Sequence, residues 1–175
     1  MLCLHLLRIR EQSGSFLKKS RRIIKEKYLP TEYSIREAGV DDIEDIYEIE
    51  LESFKNPWIF DKYVNEFRIP YSQISVAESG GRIVGFSLVW FVNDEVHLNK
   101  IAVRYRHRRN RIASSLIDHI IQIAKDAGSR VIYLEVRERN KEARAFYRKL
   151  GFTENGIRKK YYPDDNAILI EKMIE

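Results

Sequence analysis

Apolar residues recur along this chain with two different periods, and the switches between them mark out the elements. Tyr33-Ser34-Ile35-Arg36 alternates and reads as a short strand. From Asp41 the period lengthens: Ile43, Ile46, Tyr47 and Ile49 stand three or four residues apart, which predicts a helix to about Ser53. Asp41 is its expected cap, with Glu44 three positions later in capping-box spacing. Asn56-Pro57 interrupts the pattern, and a second helix is expected from Trp58 to Phe67. Gln73 to Ala77 and Arg82 to Val92 have strand character on either side of Ser79-Gly80-Gly81, a hairpin signal. Glu95 to Val103 makes a third such segment. Beyond a basic stretch, 104–111, the residues Ile112, Leu116, Ile120 and Ile123 predict a helix that Gly128 stops. Val131 to Val136 reads as a strand and Asn140 to Leu150 as a helix. Phe152 onward gives two strands around Pro163-Asp164-Asp165-Asn166. The order β-α-α-β-β-β-α-β-α-β-β is that of one mixed α/β domain over residues 31–175.

Residues 1–30 stand apart. Leu17, Ile23, Ile24 and Tyr28 fit one apolar stripe of a basic helix ending near Pro30. This segment holds eight Lys/Arg against two acids, a net +6, while the whole chain is +5. Residues 31–175 therefore sum to about −1, so the high charge belongs to the extension and not to the globular body. A basic body docking on nucleic acid is not supported. The extension reads as an arm that contacts the ribosome, RNA or an acidic partner, or more plainly as a solvated or packing appendage.

Composition removes several other classes. No apolar run approaches the roughly 18 residues a membrane helix needs, and Met1 to Leu7 lacks the basic flank and cleavage site of a secretory signal. One cysteine, Cys3, gives no internal disulfide, and no Cys/His spacing suggests a metal. A cytoplasmic protein without a metal is the expectation.

Two stretches carry candidate chemistry. In the first, Ile101-Ala102-Val103 ends a strand, a loop with Arg108, Arg109, Asn110 and Arg111 follows, and Ile112-Ala113-Ser114 opens a helix. Helix N-termini present unpaired N–H groups and partial positive charge, and arginines add charge, so this suits a phosphate group. A solvated basic loop is the plainer reading. In the second, Glu135 lies in an apolar strand and a helix opens at Asn140 with Tyr147 on its second turn. Ala143, Phe146, Tyr147 and Leu150 share one face, so core packing alone would explain Tyr147, and a local ion pair would explain Glu135.

The second stretch, Asn140-x-x-Ala143-x-x-x-Tyr147-x-x-x-Gly151-Phe152, closely resembles a signature of the GNAT superfamily of N-acetyltransferases, with every named position matching. The first resembles that superfamily's acetyl-CoA pyrophosphate loop, Arg/Gln-x-x-Gly-x-Gly/Ala, with Arg108 first and Ala113 last. It departs at the middle glycine, where Arg111 stands. An arginine there must turn its side chain away, and its N–H can donate to phosphate if the loop keeps a negative φ. The resemblance implies a predominantly antiparallel sheet flanked by helices and acetyl-CoA as acetyl donor. Arg108 to Ser114 and Asn140 would hold it, and the edge of Ile101 to Val103 would pair with its pantetheine amides.

Within the superfamily the likeness is to ribosomal-protein-alanine N-acetyltransferases and archaeal N-terminal acetyltransferases, and it runs from about Tyr33 to the C-terminus. Ser53-Phe54-x-x-Pro57-Trp58 resembles the loop that cradles the acceptor peptide, and Tyr161-Tyr162-Pro163 the hairpin that closes over it. By this likeness Phe54, Pro57, Tyr161 and Tyr162 bind the acceptor, which is the N-terminus of a ribosomal or nascent protein. Glu135 is the base, His97 (matching a histidine of the archaeal members) shares a water with it, and Tyr147 protonates the leaving thiolate. An α-amine has a pKa near 8 against ~10.4 for lysine, so at pH 7 roughly one in ten is already neutral, and a modest base suffices. The rival readings are an acetyltransferase of a small amine or of lysine side chains and, from a different class, a non-catalytic ribosome- or RNA-binding adaptor.

Overall fold

The computed structural model describes residues 32–175, Glu32 to Glu175, so the expected basic helix over residues 1–30 and its contacts lie outside the described residues. Seven strands form one sheet: β1 (Ser34–Glu37), β2 (Ser72–Ser79), β3 (Arg82–Val92), β4 (Glu95–Val103), β5 (Val131–Arg137), β6 (Thr153–Tyr162) and β7 (Asp165–Met173). Four helices accompany them: α1 (Ile43–Ser53), α2 (Phe60–Glu66), α3 (Ile112–Asp126) and α4 (Lys141–Lys149). The strand order is β1-β2-β3-β4-β5-β7-β6, antiparallel throughout except for the parallel pair β4–β5. A crossover through α3 is what allows that one parallel pair.

Alternation along the strands feeds two cores. Ile46 and Ile49 of α1, with Tyr63 of α2, pack on Val76, Phe86 and Leu88. Ile117 and Ile120 of α3, with Tyr147 of α4, pack on Val96, Leu98, Ile132 and Leu134. Neighbouring residues Val76 and Ala77 go to different clusters, as period-two side chains must when both faces are covered. The β2–β3 turn falls on Gly80 and Gly81, both at positive φ, where glycine is at ease.

Two boundaries differ from the sequence expectation, each for a visible reason. A 3₁₀ turn, Val40–Asp42, precedes α1, and Asp42, not Asp41, does the capping there. Its carboxylate accepts the Gly39 N–H at 2.8 Å while its own N–H donates to the Gly39 carbonyl at 3.0 Å. Arg36 of β1 donates to both Asp42 oxygens, at 2.7 and 2.9 Å, and that fork draws the later aspartate into the cap. Helix α2 begins at Phe60 and not at Trp58: Ile59 is still extended, at φ −74° and ψ 154°, and the Trp58 N–H before it donates to the Glu50 carboxylate at 2.8 Å.

What positions the site is a defect in β4. On β3, Leu88 faces Lys100 and Val89 faces Leu98, leaving Asn99 as the extra residue of a bulge. The parallel pairing of β4 with β5 then ends at Leu98–Leu134, although both strands continue. Beyond that point they splay apart.

Candidate active site

The splay opens a cavity of about 910 Å³ that passes between the two faces of the sheet. On the α3/α4 side it is walled by Ile101, Val103, Ala113, Ala143, Phe146 and Tyr147. On the α1/α2 side it meets Phe54, Trp58, Lys100 and, from the β6–β7 hairpin, Arg158, Tyr161 and Tyr162. Size and mixed lining are those of a small-molecule site.

The first candidate stretch sits at one end. Past Leu98, the β4 edge that faces β5 has no strand partner, so the backbone groups that Ile101 and Val103 turn to that edge, apart from the Val103 carbonyl, can bond an extended ligand. Arg108 folds back over this edge, its Nε donating to the Val103 carbonyl at 3.0 Å. Arg111 is the residue before α3 and has φ 62°, in the left-handed region. The negative φ on which donation by the Arg111 N–H was conditional is not kept: the side chain has not reshaped the loop, which keeps the turn glycine would make. Arg109 is also left-handed, at φ 67°, and is exposed with Glu142 4.0 Å away. Asn110 donates to the His107 carbonyl, at 3.3 Å, and Ile112 is buried beneath the loop. The first N–H groups of α3, at Ile112, Ala113 and Ser114, have no intrahelical acceptor, and no side chain caps them. This is an anion cradle with a guanidinium at its lip, which fits a pyrophosphate. Among the described residues no group of metal-binding side chains occurs, and no helix is long and apolar enough to cross a membrane.

Tyr147 lies buried in the wall, edge-on to Phe146 and Phe152 at 5.2 and 5.5 Å between ring centroids. Burial alone pushes its phenol above the ordinary tyrosine range, so the hydroxyl keeps its proton at neutral pH. Asn140 caps α4, its Oδ1 accepting the Ala143 N–H at 3.1 Å. Its amide nitrogen remains for a ligand.

On the other face, Glu135 follows Tyr133 by two residues on β5, and His97 stands in register with Tyr133, so all three share one side. His97 Nε2 lies 3.0 Å from the Glu95 carboxylate, and its ring is 5.7 Å from that of Tyr133. Glu135 is held from β6: Oε1 is 2.9 Å from Arg158 Nη1. The Tyr161 hydroxyl donates to the same carboxylate, and that bond, with some burial, raises the Tyr161 pKa. Tyr161 and Tyr162 stack edge-on at 5.0 Å, and burial, aided by Glu135, raises the Tyr162 phenol. The hairpin tip is tied back to β5 by Arg137 on Asp164 at 2.6 Å and by Asn166 on Glu138 at 2.7 Å. Phe54 reaches the cavity; Pro57 is exposed and outside the lining, where Trp58 takes the place expected for it.

The sequence reading missed a buried ion pair. Glu50 of α1 is wholly buried and accepts three hydrogen bonds: from Lys100 Nζ at 2.6 Å, the Trp58 N–H at 2.8 Å and the Tyr63 hydroxyl at 2.8 Å. Lys100 stands over the Phe54 and Trp58 rings at 4.0 and 4.7 Å, in cation–π contact. Burial pulls its pKa down, against the opposing pull of Glu50. The available signal was Glu50 itself, a charge seven residues after Ile43 on the apolar face of α1.

An anion cradle, a splayed strand edge and a shielded tyrosine in one cavity are what an acyl-CoA site requires. Residues 43–152 match the model of the acetyltransferase (GNAT) family. The chain belongs to that family. As a member it is an acetyl-CoA-dependent N-acetyltransferase with the family's mixed α/β fold. It is 36% identical over 134 residues to a ribosomal protein bS18-alanine N-acetyltransferase of Haemophilus influenzae, covering 74% of this chain and 90% of that one. Among solved structures, the ribosomal-protein-S18-alanine N-acetyltransferase of Escherichia coli superposes with a TM-score of 0.78 at 28% identity, over 82% of this chain and 95% of that one. Ard1 from Thermoplasma volcanium gives 0.77 at 28% identity, over 82% and 98%.

Proposed function

We propose that this GNAT enzyme acetylates the N-terminal α-amine of protein chains, with ribosomal or newly made proteins as acceptors. The carrying observation is the cavity through the splay, which has Tyr147 on one side, Glu135 on the other and a mouth lined by aromatic side chains. Relatives named as ribosomal protein bS18-alanine N-acetyltransferases support the same acceptor class.

Acetyl-CoA supplies a thioester, an acyl group already activated toward amines. Arg108 and the free N–H groups of α3 hold its phosphates, and the β4 edge aligns its arm. Glu135, oriented by Arg158, accepts through water the proton that the amine sheds as the N–C bond forms, and His97 borders the same space. Tyr147 gives its proton to the sulfur as the C–S bond breaks. Because the thiol pKa is near 8.5, that donation helps without being obligatory.

The test uses acetyl-CoA with peptides having free N-termini, alongside N-terminally blocked copies that contain lysine. Acetylation confined to the free N-termini is expected. Glu135→Gln should lower kcat by about 10²–10⁴ with little change in acetyl-CoA affinity, and Tyr147→Phe should cost less. A Glu135→Gln enzyme of near-normal rate would remove the base assignment. Binding of acetyl-CoA without reaction on any peptide would shift the acceptor to a small amine.

A further inference from the structure

The β4 bulge does more than open the cleft. Before it, Val96 and Leu98 pack toward α3 and α4 while His97 points to the other face. After it, Val103 packs toward α3 while Lys100 and Ala102 face α1. Strict alternation would have buried Lys100 with Val96 and Leu98; the extra residue, Asn99, re-aims it into the acceptor end of the cavity. There its ammonium makes one hydrogen bond, to Glu50, and no other among the described residues. An ammonium carries three donors, so two remain between the Phe54 and Trp58 rings. Ser53, which ends α1 beside them, has a buried hydroxyl with no partner.

The charge at this wall is not balanced. Lys62 of α2 sits 3.3 Å over the Trp58 ring and repels Lys100. Among the described residues, Glu50 is the one carboxylate bonded to either cation. The single carboxylate in the cavity lining, Glu135, is already committed to Arg158. From this geometry we infer that Lys100 is a specificity-determining residue, donating to an oxygen on the side chain of the acceptor's first residue, so that chains beginning with aspartate or serine are preferred over those beginning with alanine. The inference rests on the N-terminal reading above and deepens it. Alanine fits the same aromatic slot but leaves the Lys100 donors to water, whereas a lysine or arginine there would bring a third cation to the wall.

The experiment measures kcat/KM for peptides identical beyond a first residue of Ala, Ser, Asp or Lys, with the intact chain and with Lys100→Met. A hydrogen bond to a charged group is worth a factor of about 10 to 10². Aspartate is therefore expected to exceed alanine by about tenfold or more in the native chain, with serine between them and lysine last. Lys100→Met is expected to bring the Asp/Ala ratio to about one, whatever its effect on absolute rate. Because Lys100→Met strands a buried Glu50, the pair Glu50→Gln/Lys100→Met, which leaves no buried charge, supplies the same ratio in a wall that keeps its shape. Peptides acetylated with alanine equal to or above aspartate, or a ratio unchanged in both variants, would overturn the role of Lys100 and leave the N-terminal reading intact. Failure of every free N-terminus to react would overturn both.

Discussion

Arg111 offers a clean test of how the donor loop is built, because its conformation and its chemistry pull in opposite directions. At φ 62° and ψ 1° it occupies left-handed space, which costs an L-residue roughly 1–2 kcal/mol through its β-carbon. Glycine pays nothing there but gains roughly 0.5–1 kcal/mol of freedom in the unfolded chain. Arg111 is exposed, and no hydrogen bond of its side chain is at stake. Arg111→Gly should therefore raise stability by roughly 0.5–1 kcal/mol, which in a chain of this size is a Tm rise of about 1–4 °C. Arg111→Ala removes the same charge but keeps the β-carbon, so it should show no such gain. Thermal unfolding of the three proteins without ligand measures this directly. If alanine stabilises as much as glycine, the gain comes from removing charge beside Arg108 and Arg109, and the strain argument fails. If neither stabilises, the loop in solution does not hold the left-handed turn.

Two further outcomes follow from buried and forked ion pairs. Glu50→Ala should destabilise by about 3–5 kcal/mol, since Lys100 loses its counter-charge in a wall where its side chain is only 9% exposed; urea unfolding reads this, and Glu50→Gln should cost distinctly less. Asp42 is held below the ordinary aspartate pKa, chiefly by the Arg36 fork. A depressed folded pKa means its stabilisation is complete above the unfolded value of about 3.9 and fades as pH falls below that, through the folded pKa. The stability gap between the native chain and Asp42→Asn should therefore be present at pH 7 and shrink toward pH 2. A gap that stays constant would mean the fork acts only through shape.

The element order was legible because the helices of this chain are amphipathic and its strands alternate, and each change of period coincides with a change of element. The two boundary departures involve side-chain contacts that periodicity does not carry. Asp42 displaces Asp41 as a cap because Arg36, six residues earlier, reaches it, and α2 starts late because the chain is still extended at Ile59, with Trp58 bonded to Glu50. No local pattern carries such contacts. Tyr147 and Asn140 were found by motif, where periodicity by itself would have left Tyr147 as one more core aromatic; its packing on Phe146 and Phe152 shows it serves the core as well.

The acceptor side was the least legible part, and the bulge at Asn99 explains why. A one-residue insertion in a strand has no signature in hydropathy, yet it reverses the facing of every residue after it. Read with strict alternation, Glu95 to Val103 puts Lys100 in the α3 core, where a lone ammonium would be prohibitively costly. That conflict is itself a signal. A lysine that alternation would bury beside Val96 and Leu98 must either break the register or bring a carboxylate with it, and this chain does both, through Asn99 and Glu50. One extra residue thereby ends the β4–β5 ladder, opens the strand edge at one end of the cavity and turns a cation into the other, so the two proposed halves of the site share a single structural cause.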